Sequence, residues 1–271
     1  AVLAFDSYSA RGGSTNALHL DANENPYAPP PVTGVGNYNR YPEQQPPALR
    51  QRLADIYGTK PQRILVGRGA DEGIEILLRT FCEDGQDSIL ICPPTFGYYK
   101  TVADIQGAKT IEVPLSETYE WDVDGIHKAA SETPNLKAIF ICSPNNPTGN
   151  EIARNSVLEL AIAFPDTFIV VDEAYIEFSE SESFIDDITD YPNLVILRTL
   201  SKAYALAGVR GGCAIADERV IELMLKVLPP YPIARPVENA ILSALAPAAM
   251  GVHAERLAET LDERERMAKE L

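Results

Sequence analysis

Phe168-Ile169-Val170-Val171-Asp172-Glu173-Ala174-Tyr175 is the stretch on which the reading of the fold turns. Four consecutive apolar residues are too few for a helix, and they stop at an aspartate. Such a run reads as a strand buried on both faces, with its acidic end at the rim of a sheet. The pattern recurs outward in both directions. Upstream, Ala138-Ile139-Phe140-Ile141-Cys142 is stopped by Pro144, and Ser88-Ile89-Leu90-Ile91-Cys92 by Pro93-Pro94. Downstream, Leu194-Val195-Ile196-Leu197 ends near Ser201. Apolar residues at helical spacing occupy 74–81 and 157–163. Short apolar strands alternating with helices predict an α/β domain, a mostly parallel sheet covered by helices on both faces.

Open sheets of this kind bind ligands beyond the carboxyl ends of their strands, so the residues after each strand carry the functional signal. They are Thr95 and Phe96, then Ser143-Pro144-Asn145-Asn146-Pro147-Thr148-Gly149, then Asp172-Glu173-Ala174-Tyr175, then Ser201-Lys202. One rim thus receives an aromatic ring, an amide, a carboxylate and a lysine. A lysine that holds an aldehyde cofactor covalently needs such company. A carboxylate keeps the ring nitrogen protonated, so that the ring withdraws electrons. Donors serve the ring oxygen, an aromatic side chain covers the ring face, and backbone N–H groups with an arginine hold a phosphate. Lys202, Asp172, Tyr175 with Asn146, Phe96, the helix start at Gly69-Ala70-Asp71, and Ser201 with Arg210 meet these needs in turn.

The chain has 271 residues, with 45% hydrophobic and 23% charged, which is enough to bury a core. Its 39 Asp and Glu against 23 Lys and Arg give a net charge of −16. A field of that sign repels phosphate backbones and anionic lipid, so neither nucleic acid nor membrane is an expected partner. Any anionic ligand needs a local basic island. Cys82, Cys92, Cys142 and Cys213 form no CxxC pair, and three lie in apolar runs, as reduced cytosolic thiols do. The three histidines have no partner at metal-ligand spacing, so no metal is expected. No apolar stretch reaches the length of a membrane span, and residues 1–10 lack the pattern of a signal peptide. The expected location is cytoplasmic.

With these motifs the chain resembles the fold-type I pyridoxal-phosphate aminotransferases, and within them the histidinol-phosphate aminotransferases. The residues that carry the likeness begin with Leu20-Asp21-Ala22-Asn23-Glu24-Asn25-Pro26, Arg40-Tyr41-Pro42 and Gly67-Arg68-Gly69-Ala70-Asp71-Glu72. They continue through residues 143–149 and 172–175 to Thr199-Leu200-Ser201-Lys202 and Gly208-Val209-Arg210. The resemblance implies pyridoxal 5′-phosphate as cofactor, with Lys202 catalytic. Ala70, Asp71, Phe96, Asn146, Asp172, Tyr175, Ser201, Lys202 and Arg210 would bind the cofactor, joined by Tyr41 from the partner subunit of a homodimer. Asn23 is the candidate substrate contact. Phe96 stands where the family often has tyrosine: stacking survives, but a hydroxyl contact is lost.

The implied reaction is transamination of L-histidinol phosphate with 2-oxoglutarate to imidazole-acetol phosphate and glutamate, in histidine biosynthesis. An aromatic amino-acid aminotransferase or a threonine-phosphate decarboxylase shares the cofactor motifs and stays open as an alternative. A non-enzymatic cofactor-sensing domain would need a DNA-binding module, and none is visible. A nicotinamide enzyme would need a third glycine where Glu72 stands. Blander readings remain for single residues: Tyr175 and Phe96 as core aromatics, Asn146 as a turn former, Asp71 as a helix-start acid. The expected domains are an N-terminal arm with the start of a small domain over 1–41, a large cofactor domain over 42–250, and over 251–271 the start of a helix leading to a C-terminal small domain. Leu257, Leu261 and Met267 give that helix an amphipathic spacing. By the resemblance, that small domain, mostly missing here, brings the arginines for substrate.

Overall fold

The computed structural model describes residues 38–270. Asn23, most of the expected arm over 1–41, and the motif at 20–26 lie outside the described residues. Helix α1 (Pro47–Tyr57) leads into strand β1 (Ile64–Gly67), and α2 (Ala70–Phe81) follows at once. Then come β2 (Ser88–Ile91), α3 (Tyr98–Gln106), β3 (Lys109–Glu112), α4 (Val123–Glu132) and β4 (Leu136–Cys142). Beyond these lie α5 (Arg154–Ala163), β5 (Phe168–Asp172), β6 (Leu194–Thr199), β7 (Gly212–Ala216), α6 (Glu218–Val227), α7 (Arg235–Ala244) and α8 (Pro247–Glu270).

Seven strands form one sheet in the order β1-β7-β6-β5-β4-β2-β3. β2, β3, β4, β5 and β6 pair in parallel, and β7 runs antiparallel to both of its neighbours. The expectation of a mostly parallel sheet is met, and the four strands read from sequence are its adjacent central members. Alternate strand residues enter two cores. Leu65, Phe140, Val170 and Val195 meet α2, α3 and α6 on one face. Val66, Ile139, Val171 and Ile196 meet α1, α4, α5 and α7 on the other. Both faces are covered, which is why every residue of β1, β2, β6 and β7 is buried. Helix α8 forms over the predicted region, yet it buries no residue, and Met267 is exposed.

From β2 the chain steps outward to β3, whereas from β4 it steps the other way, through β5 and β6 to β7. The strand order therefore reverses between β2 and β4, and a crevice opens at the carboxyl ends of the strands there. Because β7 is reversed, its first residue reaches the same rim, where Gly212 pairs with Gly67 of β1 and Thr199 of β6. Cys142 and Asp172 face each other across the ends of β4 and β5.

Candidate active site

Nine of the predicted residues line one cavity at this rim: Ala70, Asp71, Phe96, Asn146, Asp172, Tyr175, Ser201, Lys202 and Arg210. The sequence reading missed three more that line it, Cys142, Ala174 and Thr199. Each is the last residue of a strand or the middle of a motif, and the sequence reading assigns none of them a role at the rim.

The floor is built by β5. Asp172 is 3% exposed, and its Oδ2 accepts the Tyr99 hydroxyl at 2.6 Å while Oδ1 accepts the Ala174 backbone N–H at 3.1 Å. Burial pushes its carboxyl up to about 6. The two hydrogen bonds and the charge of Lys202 pull the other way, and the charge of Asp71 adds to the rise. Removed from water and only partly compensated, this carboxylate favours a cationic N–H donor in the cavity.

The walls come from the loops after the strands. Asn146 donates to the Tyr175 hydroxyl at 3.4 Å, so the amide and the phenol form one polar wall. Lys202 Nζ lies 5.3 Å from the centroid of the Tyr175 ring. The turn carrying Asn146 is braced by Asn145, whose amide donates to Pro94 O at 2.9 Å and to Thr148 Oγ1 at 2.7 Å. Thr95 donates to Asn145 Oδ1 at 3.0 Å and so ties the Phe96 loop to the same brace. The Phe96 ring meets the edge of buried Tyr99, with centroids 5.5 Å apart.

The far end of the cavity is an anion cradle. Helix α2 begins at Ala70, and the first N–H groups of any helix lack intrahelical acceptors. Gly69 before it has φ +96, a left-handed conformation, and a Cβ there would sit 2.9 Å from Arg210 Nη2. Gly212 permits a second close approach: a Cβ would sit 2.7 Å from Ala70 N. Arg210 Nη1 donates to Ser201 Oγ at 3.3 Å, and Nη2 pairs with Asp71 Oδ2 at 2.8 Å. Helix start, serine and guanidinium converge. This is the basic island that a protein of net charge −16 needs.

Tyr41 does not line the cavity. It is 55% exposed and stacks on Tyr231 of its own chain, centroids 4.2 Å apart. Beneath Asp172, the neighbouring Glu173 is fully buried. It accepts from Arg198 at 3.1 Å, from the Ser183 hydroxyl at 2.6 Å and from the Phe184 N–H at 2.7 Å. Arg198 reaches on to Glu177 at 2.5 Å and lies over the Tyr57 ring. This network secures the rim from below. Among the described residues, no group of His, Cys, Asp and Glu could hold a metal ion.

Fold and cavity together suit an enzyme that holds an aldehyde cofactor on a lysine, and the comparisons give its class, the transfer of amino groups. Residues 15–271 match the family described as aminotransferase class I and II, and the chain belongs to that family of pyridoxal-phosphate enzymes. It is 47% identical over 241 residues to a histidinol-phosphate aminotransferase of Vibrio parahaemolyticus serotype O3:K6, covering 89% of this chain and 69% of that protein. To the protein of that name from Salmonella typhi it is 44% identical over 264 residues, covering 96% of this chain and 72% of the relative. The histidinol-phosphate aminotransferase of Sinorhizobium meliloti, solved in complex with pyridoxal-5′-phosphate, superposes with a TM-score of 0.77 at 26% identity, covering 85% of this chain and 62% of that one.

The residues present suit that cofactor. Lys202 would offer an amine to its aldehyde, buried Asp172 an anion to its ring nitrogen, and the cradle at α2 a seat for its phosphate.

Proposed function

We propose that this chain transfers the amino group of L-histidinol phosphate to 2-oxoglutarate, giving imidazole-acetol phosphate and glutamate. The observation that carries the reading is one cavity in which Lys202 and buried Asp172 lie together with an anion cradle. The substrate rests on relatives 44–47% identical that bear the name histidinol-phosphate aminotransferase. A threonine-phosphate decarboxylase of known structure is only 24% identical and shares the fold alone.

Bound pyridoxal 5′-phosphate supplies an aldehyde and an electron-withdrawing ring, which together stabilise negative charge at the substrate α-carbon. Lys202 Nζ would hold the cofactor through its aldehyde and, when free, would act as the base that takes the substrate α-proton and passes it on to the cofactor side. Asp172 would accept the N–H of the ring nitrogen and keep that nitrogen cationic. Asn146 and Tyr175 would donate to the ring oxygen, and Phe96 would cover the ring face. Ser201, Arg210 and the first N–H groups of α2 would hold the phosphate. The proposed substrate contact, Asn23, lies outside the described residues. The enzyme works as a homodimer in which Tyr41 of the partner subunit completes the phosphate site. It acts in the cytoplasm, on small molecules rather than nucleic acid or membrane. The four buried free cysteines suit that compartment, and no helix among the described residues is long and apolar enough to cross a membrane.

Borohydride reduction of the cofactor-loaded protein should fix the cofactor on the peptide that contains Lys202. A label on another lysine removes Lys202 from its role. For the substrate, kcat/KM is compared for histidinol phosphate, phenylalanine and threonine phosphate. Preference for phenylalanine, or release of carbon dioxide from threonine phosphate, overturns the assignment.

A further inference from the structure

Tyr99 holds a place that the reaction scheme leaves unused. It lies on α3, outside the motifs, and is fully buried. Its ring stacks on Phe140 of β4 with centroids 4.7 Å apart and an interplanar angle of 20°, and it meets the Phe96 ring edge-on at 86°. Its hydroxyl points at Asp172 Oδ2, 2.6 Å away. A tyrosine clamped by aromatic packing on two sides thus presents one donor to the floor carboxylate. The Ala174 N–H occupies the other oxygen from the opposite side.

We propose that Tyr99 is a positioning residue, which fixes the Asp172 carboxylate in its ionised form and in the plane that receives the ring nitrogen of the cofactor. The inference rests on the cofactor reading given above. An O–H donor stabilises the charged carboxylate and does nothing comparable for the acid, so its removal must make Asp172 harder to ionise. A hydrogen bond to a charged acceptor is worth roughly a factor of ten or more. The other titratable groups that act on Asp172 or share its surroundings are Asp71 at the start of α2, Lys202 after β6, and Cys142 at the end of β4. Asp71 opposes ionisation and Lys202 favours it. None of them supplies a hydrogen bond from the α3 side, so none replaces Tyr99. The edge contact with Phe96 extends the same clamp to the ring expected on the cofactor face.

Tyr99→Phe deletes only the hydroxyl and keeps the ring packing. The probe is pyridoxamine 5′-phosphate, which binds without a covalent link to Lys202, titrated into the apo-protein between pH 5.5 and 9. The expected result is an affinity near wild type at pH 9, a loss of about threefold near pH 6.5 and one approaching tenfold at pH 5.5. The acid limb of the binding curve should move up by about one pH unit. The probe's own titrations are common to both proteins and cancel. With ring-15N-labelled probe, the nitrogen resonance of the variant should shift toward the unprotonated position at that lower pH. In an Asp172→Asn background the same hydroxyl deletion should change affinity less than twofold. An affinity loss uniform across pH, or one that persists in the Asn background, overturns the proposal in favour of simple packing. A wild-type protein that fails to bind the probe removes the cofactor reading and this inference with it. Wild-type binding with an unchanged Phe variant removes this inference alone. Should Tyr99→Phe not fold, 3-fluorotyrosine at position 99 keeps the ring and strengthens the donor. The acid limb must then move down, and a limb that stays in place counts against the role.

Discussion

Asp172 is held by two hydrogen bonds but lies out of reach of bulk water, and burial moves its carboxyl from an ordinary 3.8 to about 6. The folded state therefore binds this proton more tightly than the unfolded chain does. Its stabilising contribution is complete below about pH 4 and is lost as the pH rises through about 6. Above that, the ionised group costs the cofactor-free protein up to ~3 kcal/mol. Asp172→Asn should accordingly raise the melting temperature of the cofactor-free protein at pH 8 and do little at pH 4.5. A difference that stays flat over that range would contradict the assignment. The place of Asp172 at the carboxyl end of a buried strand was legible in sequence, because the apolar run of four residues stops there. Tyr99 was not legible. Its partner lies 73 positions away, and only the folded sheet reveals that its hydroxyl, rather than its ring alone, matters. Glu173 was quoted within its motif, but its buried pairing with Arg198 depends on which way the residue after Asp172 turns.

The four central strands were legible for one reason: each is apolar throughout, as burial on both faces demands. The other three escaped notice for different reasons. β3 is Lys-Thr-Ile-Glu on the sheet edge, with its first and last residues exposed and only Leu90 and its neighbours on β2 to pair with. β7 is Gly-Cys-Ala-Ile-Ala, too small in volume to announce a strand, yet wholly buried. β1 has only four residues and runs straight into the glycines that precede α2. The small side chains of β7 have a structural reason. Gly73 of α2 packs on Ala214, and Gly212 lies beneath the first residue of α2. A Cβ on Gly212 would approach Ala70 N, Gly69 C and Arg198 O, each at 2.7 Å, and all three are backbone atoms with little freedom to retreat. Gly212→Ala should therefore cost about 1–3 kcal/mol of stability. Because the displaced element is the start of α2, phosphate-bearing ligands should lose affinity more than ligands without a phosphate. Calorimetry of the variant with pyridoxal 5′-phosphate and with pyridoxal separates the two effects. Equal losses for both would argue that the helix start does not hold the phosphate.

At the scale of the whole molecule, the acidic charge and the cavity oppose each other: Lys202 and Arg210 bring positive charge to one pocket of a chain whose net charge is −16. Tyr41 stands outside that site in its own chain, stacked on Tyr231 with much of its ring in solvent. In the proposed dimer it serves the neighbouring cavity. Chains carrying Tyr41→Ala and chains carrying Lys202→Ala, each impaired alone, should then complement on mixing. A mixed dimer combines one site damaged twice with one intact site, so equal mixing should return about a quarter of wild-type activity. No recovery despite proven subunit exchange would place Tyr41 in the site of its own chain, or in none.

The four cysteines give the sheet a use that catalysis does not require. Each thiol is buried and, mainly by burial, pushed up to about 12, so almost none is thiolate at pH 8. An alkylating reagent meets no reactive sulfur until part of the fold opens. The four positions then time different events. Cys82, at the carboxyl end of α2, should be modified first, and Cys213, wholly buried on β7 between β1 and β6, last. Cys142, at the cavity floor, should be slowed most by added cofactor. Pulsed alkylation with peptide mass mapping would thus follow the breathing of each layer without any engineered label.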